Sequence, residues 1–372
     1  MRSPHNLHPN KPDQDLNQTE RVIAPPCVQI SGHTSEHILE HPPKHTSALI
    51  ETNPKMARAE TKAKTKVLYI AGFERSGSTI LNRVLGQIEG FVAWGELRDI
   101  WEHGSVENRL CACGAPFNKC KAWSKIMDQA FIRELTAHPA EMVTLKQKNR
   151  TSLLFKPLLL PFGPAGRSIE KSVFSRISTP YKQGLTQLYQ TIQQKTNSRV
   201  IVDSSKASWY GYILSQLPDI DLYTVHIVRD PRGVCHSLQR RKQQGEPECQ
   251  WYNPVHAALS WRLKNIGVET LLQTAPNRYY QLRYEDFVAQ PQSLIADILK
   301  LVNEPTTELP FADTNTVKMG LDHIITGSPS SRCAIGAVKL KASEKWMSEL
   351  NIKDRVLIEQ LTTPLLQKYG YK

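Results

Sequence analysis

Short apolar runs alternate with longer helical patterns over most of this chain. Val67–Ala71 is a continuous apolar run that ends in Gly72, as a buried strand does. Thr79–Gln87 spaces its apolar residues at helical intervals. Val200–Asp203 and Leu222–Arg229 repeat the arrangement, each an apolar run ending in polar residues and followed by a helical stretch. Tyr279–Leu282 is a fourth strand candidate. This alternation predicts an α/β fold in three layers, with a central parallel sheet and helices on both faces. Residues 105–195 lack strand signals and read as a helical insertion. Ser343–Leu350 and Lys353–Lys368 read as helices.

Residues 1–64 differ. They hold eight of the 24 prolines and six of the 12 histidines without sustained periodicity, and read as a disordered leader. His33, His37, His41 and His45 would share a helix face, but Pro42 and Pro43 break such a helix. A solvated tail is the expectation there.

Charge narrows the partners. The chain of 372 residues carries +12, of which residues 1–66, with nine Lys/Arg and seven Asp/Glu, contribute +2. The remaining +10 fits nucleic acid, an anionic membrane surface or a phosphorylated small molecule. Met1–Asn10 has no apolar segment of the signal-peptide kind. The best candidate for a membrane span, Leu153–Phe162, is short and contains Lys156, Pro157 and Pro161. A soluble cytoplasmic protein with no membrane span is expected. Seven cysteines, an odd number, do not read as a secreted disulfide scaffold.

The first strand runs into Gly72-Phe-Glu-Arg75-Ser76-Gly77-Ser78-Thr79, which has the glycine spacing of the Walker A phosphate loop. Glycines let backbone N–H groups curl around an anion, and the helix N-terminus adds its dipole. The Walker lysine position, however, is Ser78. A nucleoside triphosphate would lose its main point-charge contact there. The positive charge sits instead on Arg75, whose guanidinium suits adjacent oxyanions. A second anion site follows the later strand. Arg229 stands at its end, Asp230-Pro231 starts the next helix, and Ser237 lies eight residues on, about two turns into it.

On these two motifs the chain resembles the PAPS (3′-phosphoadenosine-5′-phosphosulfate)-dependent sulfotransferases. The likeness is to the bacterial type, with similarity to tyrosylprotein and carbohydrate sulfotransferase motifs. It covers roughly Lys66 to Trp346. It implies that residues 65–372 form a sulfotransferase domain of P-loop-like fold whose insertion shapes the acceptor pocket. It implies PAPS as co-substrate, with no metal. Arg75, Ser76, Gly77, Ser78 and Thr79 would grip the 5′-phosphosulfate, and Arg229 and Ser237 the 3′-phosphate. Arg332, in Gly327-Ser-Pro-Ser-Ser-Arg332, resembles a further 3′-phosphate ligand, although the loop is one residue longer than the family's common form. Arg283–Phe287 resembles a structural helix-entry segment. Glu96, after Gly95, resembles a catalytic base, and Lys206, after a strand end, a group that stabilises the transferred sulfonate together with Arg75. His226 and His236 are alternative bases, His226 reading as a core residue. The acceptor, a hydroxyl on a sugar, peptide tyrosine, lipid or small metabolite, is not named by any motif.

Cys111, Cys113 and Cys120 offer three thiols at C-x-C-x6-C spacing, with His103 as a conceivable fourth ligand. Zinc usually takes four, commonly in C-x2-C pairs. Buried or redox-active thiols are therefore expected, and no metal. Two other readings stand beside the sulfotransferase: a P-loop kinase or NTPase, needing a lysine to replace Ser78, and a basic nucleic-acid-binding protein, for which no motif is present.

Overall fold

A computed structural model describes residues 63–372, apart from 130–131, 133–137, 154–176, 274 and 307. The leader up to residue 62 and nearly all of Leu153–Phe162 lie outside the described residues.

Five parallel strands form the central sheet: β1 (Thr65–Gly72), β2 (Phe91–Ala93), β3 (Val200–Lys206), β4 (Ile220–Val228) and β5 (Tyr279–Arg283), in the order β2-β3-β1-β4-β5. β1 takes the centre because its apolar run has no polar face to show: Val67 to Ala71 are all 0% exposed. On one side of the sheet lie α1 (Ser78–Gly86) and α8 (Pro291–Leu301), sharing a core with Leu68, Ile70 and Val225. On the other, Val67, Tyr69 and Ile201 pack with α4 (Thr179–Thr196), α5 (Ser208–Ser215) and the end of α7 (Pro254–Leu272). α2 (Lys121–Met127), α3 (Pro139–Leu153) and α4 supply the longer helices of 105–195, where an antiparallel bridge also joins Leu110 to Pro116. A third core joins α6 (Pro231–Gln243), α7 and α9 (Ile352–Thr362). The architecture is α/β in three layers. Among the described residues, no helix is long and apolar enough to cross a membrane.

Parallel pairing brings the C-terminal ends of the strands to one edge, where open α/β sheets bind ligands. Two details aim side chains there. The β1–β3 register slips between Tyr69↔Asp203 and Ala71↔Lys206, and Lys206 sits at φ +64°. This extra residue turns the end of β3. At the end of β4, the buried Trp261 donates its indole N–H to the Arg229 carbonyl at 3.0 Å, anchoring the residue that follows the strand.

His226 is a core residue, 0% exposed, with Nδ1 2.6 Å from the Tyr279 hydroxyl and Nε2 2.8 Å from Asn265 Oδ1. Burial pushes its pKa down to about 4. An imidazole that resists protonation when folded costs nothing above its unfolded pKa and destabilises the fold as pH drops below it. From pH 6.5 to 4, this residue should cost about 3 kcal/mol, at about 1.4 kcal/mol per pH unit. Asp203 opposes it in the same window, because burial raises its pKa to about 6. Denaturant unfolding of the parent and His226→Asn across that range isolates the histidine: the parent's advantage should shrink steadily. A constant difference would refute it.

Candidate active site

The β1–α1 loop closes tightly. Gly77 sits at φ +87°, where an added Cβ would lie 2.3 Å from the Tyr284 ring. Gly77 is also the N-cap of α1, and no side chain caps that helix end. The first N–H groups of α1 are thus left for a ligand. Arg75, at φ +67°, points its Nε at Ser237 Oγ, 3.1 Å away. Arg229 donates through Nη1 to the Arg75 carbonyl at 2.8 Å and lies over the Tyr284 ring at 4.7 Å. Two strand ends that are 154 residues apart in sequence therefore meet. Burial, then the neighbouring Arg241 and Arg229, push the Arg75 pKa down to about 10. Cations crowd here as they do where an anion is to be bound. Gly77→Ala should disrupt this loop through both its left-handed backbone, at about 1–2 kcal/mol, and the clash with Tyr284. Calorimetry should show a lowered Tm, and an unchanged Tm would mean that the loop adjusts.

Across the cavity, Glu96 and Lys206 form an ion pair at 2.5 Å, with both side chains largely buried. The Glu96 N–H donates to Thr326 Oγ1 at 3.3 Å, and Ser204 N–H to the Gly95 carbonyl at 2.8 Å. Asp203 supports this turn from below. It is 0% exposed and accepts from Ser205 N–H at 2.8 Å and from the Tyr189 hydroxyl. Arg98 also lines the cavity, but its guanidinium is engaged bidentately by Asp99. Burial alone would raise the Asp99 pKa, yet Arg98 and Lys146 hold it well below the usual carboxylate range.

The segment 320–334 forms a further wall, through Ile325 to Ser328, Ser331 and Arg332. Arg83, 1% exposed, ties it to α1 through Asp322 and the carbonyls of Gly320 (2.8 Å) and Ser331 (2.7 Å). The Ser328 N–H reaches Thr79 Oγ1 at 3.4 Å. Arg332 donates from Nη1 to the Ile325 carbonyl at 2.8 Å, while its buried Nε has no protein partner.

The cavity is about 740 Å³. It brings together Arg75, Gly77, Ser78, Thr79, Glu96, Lys206, Arg229 and Arg332. Ser237 stands behind Arg75, and Ser76 is fully buried with no partner for its hydroxyl. Neither alternative base lies on the cavity wall. His226 is in the core, and His236 turns its Nε2 to the Glu349 carboxylate at 3.0 Å. Sequence reasoning missed Arg241, Arg109, Thr326 and Tyr284. Arg241 was findable, since it follows Ser237 by four residues on one helix and so shares its face. Tyr284 lies in the segment read as purely structural, yet its ring carries Arg229.

Among solved structures, the sulfotransferase domain of the Synechococcus PCC 7002 olefin synthase is 18% identical, covering 86% of this chain and 99% of its own, at TM-score 0.46. The sulfotransferase domain from the curacin biosynthetic pathway is 17% identical, with coverages of 83% and 99% and TM-score 0.44. Sulfotransferase STF9 from Mycobacterium avium is 11% identical, with coverages of 83% and 78% and TM-score 0.41. Such distant likenesses say nothing of the acceptor. No curated protein matches the chain. The profile of the sulfotransferase family, by contrast, matches residues 68–308, which span both strand-end motifs and their helices, and the chain belongs to that family.

Proposed function

We propose that this protein transfers the sulfuryl group of PAPS to an acceptor hydroxyl. The observation that carries the reading is the contact between two cationic strand ends, Arg75 with Ser237 and Arg229 with the Arg75 carbonyl, in one cavity. A donor with a 5′-phosphosulfate and a 3′-phosphate needs two such loci, and ATP needs only one. In this reading Arg75, Ser76, Gly77, Ser78 and Thr79 hold the 5′-phosphosulfate, and Arg229, Ser237 and Arg332 hold the 3′-phosphate. Glu96 takes the acceptor proton as the acceptor oxygen bonds to sulfur. The bond from sulfur to the 5′-phosphate oxygen breaks, and its electron pair stays on that phosphate. Lys206 and Arg75 offset the charge on the sulfonate and leaving oxygen. The products are a sulfate ester and adenosine 3′,5′-bisphosphate. The Glu96–Lys206 pair keeps base and cation together until the sulfonate competes for the lysine. In this reading 65–372 is the catalytic domain, and the part of 105–195 that reaches the cavity, through Arg109 and Leu110, shapes the acceptor side.

A labelled-PAPS transfer assay over sugar, phenol, lipid and small-alcohol acceptors is the direct test. Binding of the bisphosphate without divalent metal, measured by calorimetry, is the accompanying expectation. Stabilisation by ATP–Mg²⁺ and not by the bisphosphate would move the protein to the nucleoside-triphosphate enzymes.

A further inference from the structure

Outside the cavity, the fold gathers four metal-ligating groups at one point. Cys111, Cys113, Cys120 and His323 bring their ligand atoms within 4.8 Å of one another. The fourth member comes from 203 residues beyond Cys120, and it is not His103, which lines the active-site cavity instead. The Sγ atoms of Cys111 and Cys120, and of Cys113 and Cys120, are 3.7 Å apart. His323 Nδ1 is 3.7 Å from Cys111 Sγ and 3.3 Å from Cys120 Sγ. A tetrahedral zinc ion with Zn–S of about 2.3 Å and Zn–N of about 2.0 Å sets ligand atoms about 3.8 Å apart for sulfur pairs and about 3.5 Å for sulfur and nitrogen. The observed spacings match that shell. They are far from the ~2.05 Å of a disulfide.

The surroundings fit thiolates bound to a cation. Cys111 and Cys120 are 0% exposed. Cys111 to Gly114 forms a tight turn, with Gly114 N–H donating to the Cys111 carbonyl at 2.9 Å and Gly114 at φ +86°. Trp123 Nε1 donates to the His323 carbonyl at 2.7 Å, and Ala112 N–H to the Ile324 carbonyl at 2.9 Å. Such outer contacts orient metal ligands.

We propose that Cys111, Cys113, Cys120 and His323 hold a structural zinc ion that staples the 111–120 loop to the segment ending in the cavity wall. That segment carries Thr326, which receives the Glu96 N–H, and Arg332. Four protein ligands close the shell, so the ion itself has no open position for chemistry.

Untagged protein, purified without chelator, should contain one zinc per chain. X-ray absorption should show sulfur neighbours at about 2.3 Å. Cobalt added to metal-free protein should give tetrahedral ligand-field bands and a thiolate charge-transfer band, both lost in Cys113→Ser and His323→Ala. Metal removal should speed amide hydrogen exchange in residues 321–328. These readouts need no turnover, so they stand apart from the sulfuryl-transfer reading. The proposal is overturned by a metal-free chain that takes up neither zinc nor cobalt, or by a shell of nitrogen and oxygen alone, as the leader histidines would give. Unchanged exchange in 321–328 would overturn the stapling role.

Discussion

Glu96→Gln should turn over about 1,000-fold more slowly while binding adenosine 3′,5′-bisphosphate as the parent does, the middle of the range for loss of a positioned general base. The amide keeps the size of the carboxylate but cannot take the acceptor proton. Glu96 is the carboxylate paired with Lys206 on the cavity wall opposite Arg75, and its backbone is fixed by Thr326. The substitution therefore leaves the donor grip intact. It also releases Lys206 from its ion pair, and that second effect has to be separated from loss of the base. Two readouts do so. Loss of the base should be partly offset by an acceptor with a more acidic hydroxyl, such as a nitrophenol, whereas a displaced lysine should not be. Lys206→Met should slow turnover by a similar factor for weakly and strongly acidic acceptors. If Glu96→Gln reacts at the parent rate, Glu96 is not the base. With His226 and His236 both off the cavity, the proton would then have to go to another group of the wall, such as Glu74 or His103.

The three central strands, β1, β3 and β4, were legible because they are buried on both faces. Continuous apolar runs such as Val67–Ala71 have that one explanation at their length, and their polar last residues mark the ligand edge. The antiparallel pair Thr316–Met319 and Gly336–Lys339 was not legible. Each strand has four residues, and of the eight only Val317 and Met319 are buried. The meeting of Arg75, Arg229 and Ser237 was legible because each stands at a fixed offset from a strand end. Arg83 was not: on α1 it looks like a surface arginine, and only the return of segment 320–334 buries it as a hub. The Cys/His cluster failed at the same step. Three thiols are local in sequence, and the fourth ligand arrives by tertiary folding, which spacing does not report.

Arg75→Asn should weaken bisphosphate binding about 100-fold, equivalent to about 2.7 kcal/mol, and also lower turnover of saturated enzyme. Asparagine is chosen because Arg75 sits at φ +67°, a conformation that alanine resists and asparagine tolerates. The variant thus removes the guanidinium without adding backbone strain. A charge-assisted hydrogen bond contributes roughly 1.5–3 kcal/mol, and Arg75 is the loop's one cation, so a loss near the upper part of that range is expected. Relief of crowding works the other way. Burial, Arg241 and Arg229 already hold the Arg75 pKa down to about 10, and removing one of three clustered cations spares the empty site some repulsion. The full loss should therefore appear in the complex, as weaker binding with little change in Tm of the ligand-free protein. In the proposed reaction turnover should fall separately, because the same guanidinium would face charge that grows on the leaving phosphate oxygen only as the bond to sulfur breaks. Bisphosphate binding within about threefold of the parent, a difference of under about 1 kcal/mol, would show that Arg229 and the α1 amides hold the donor without Arg75, and the two-locus grip would then reduce to one.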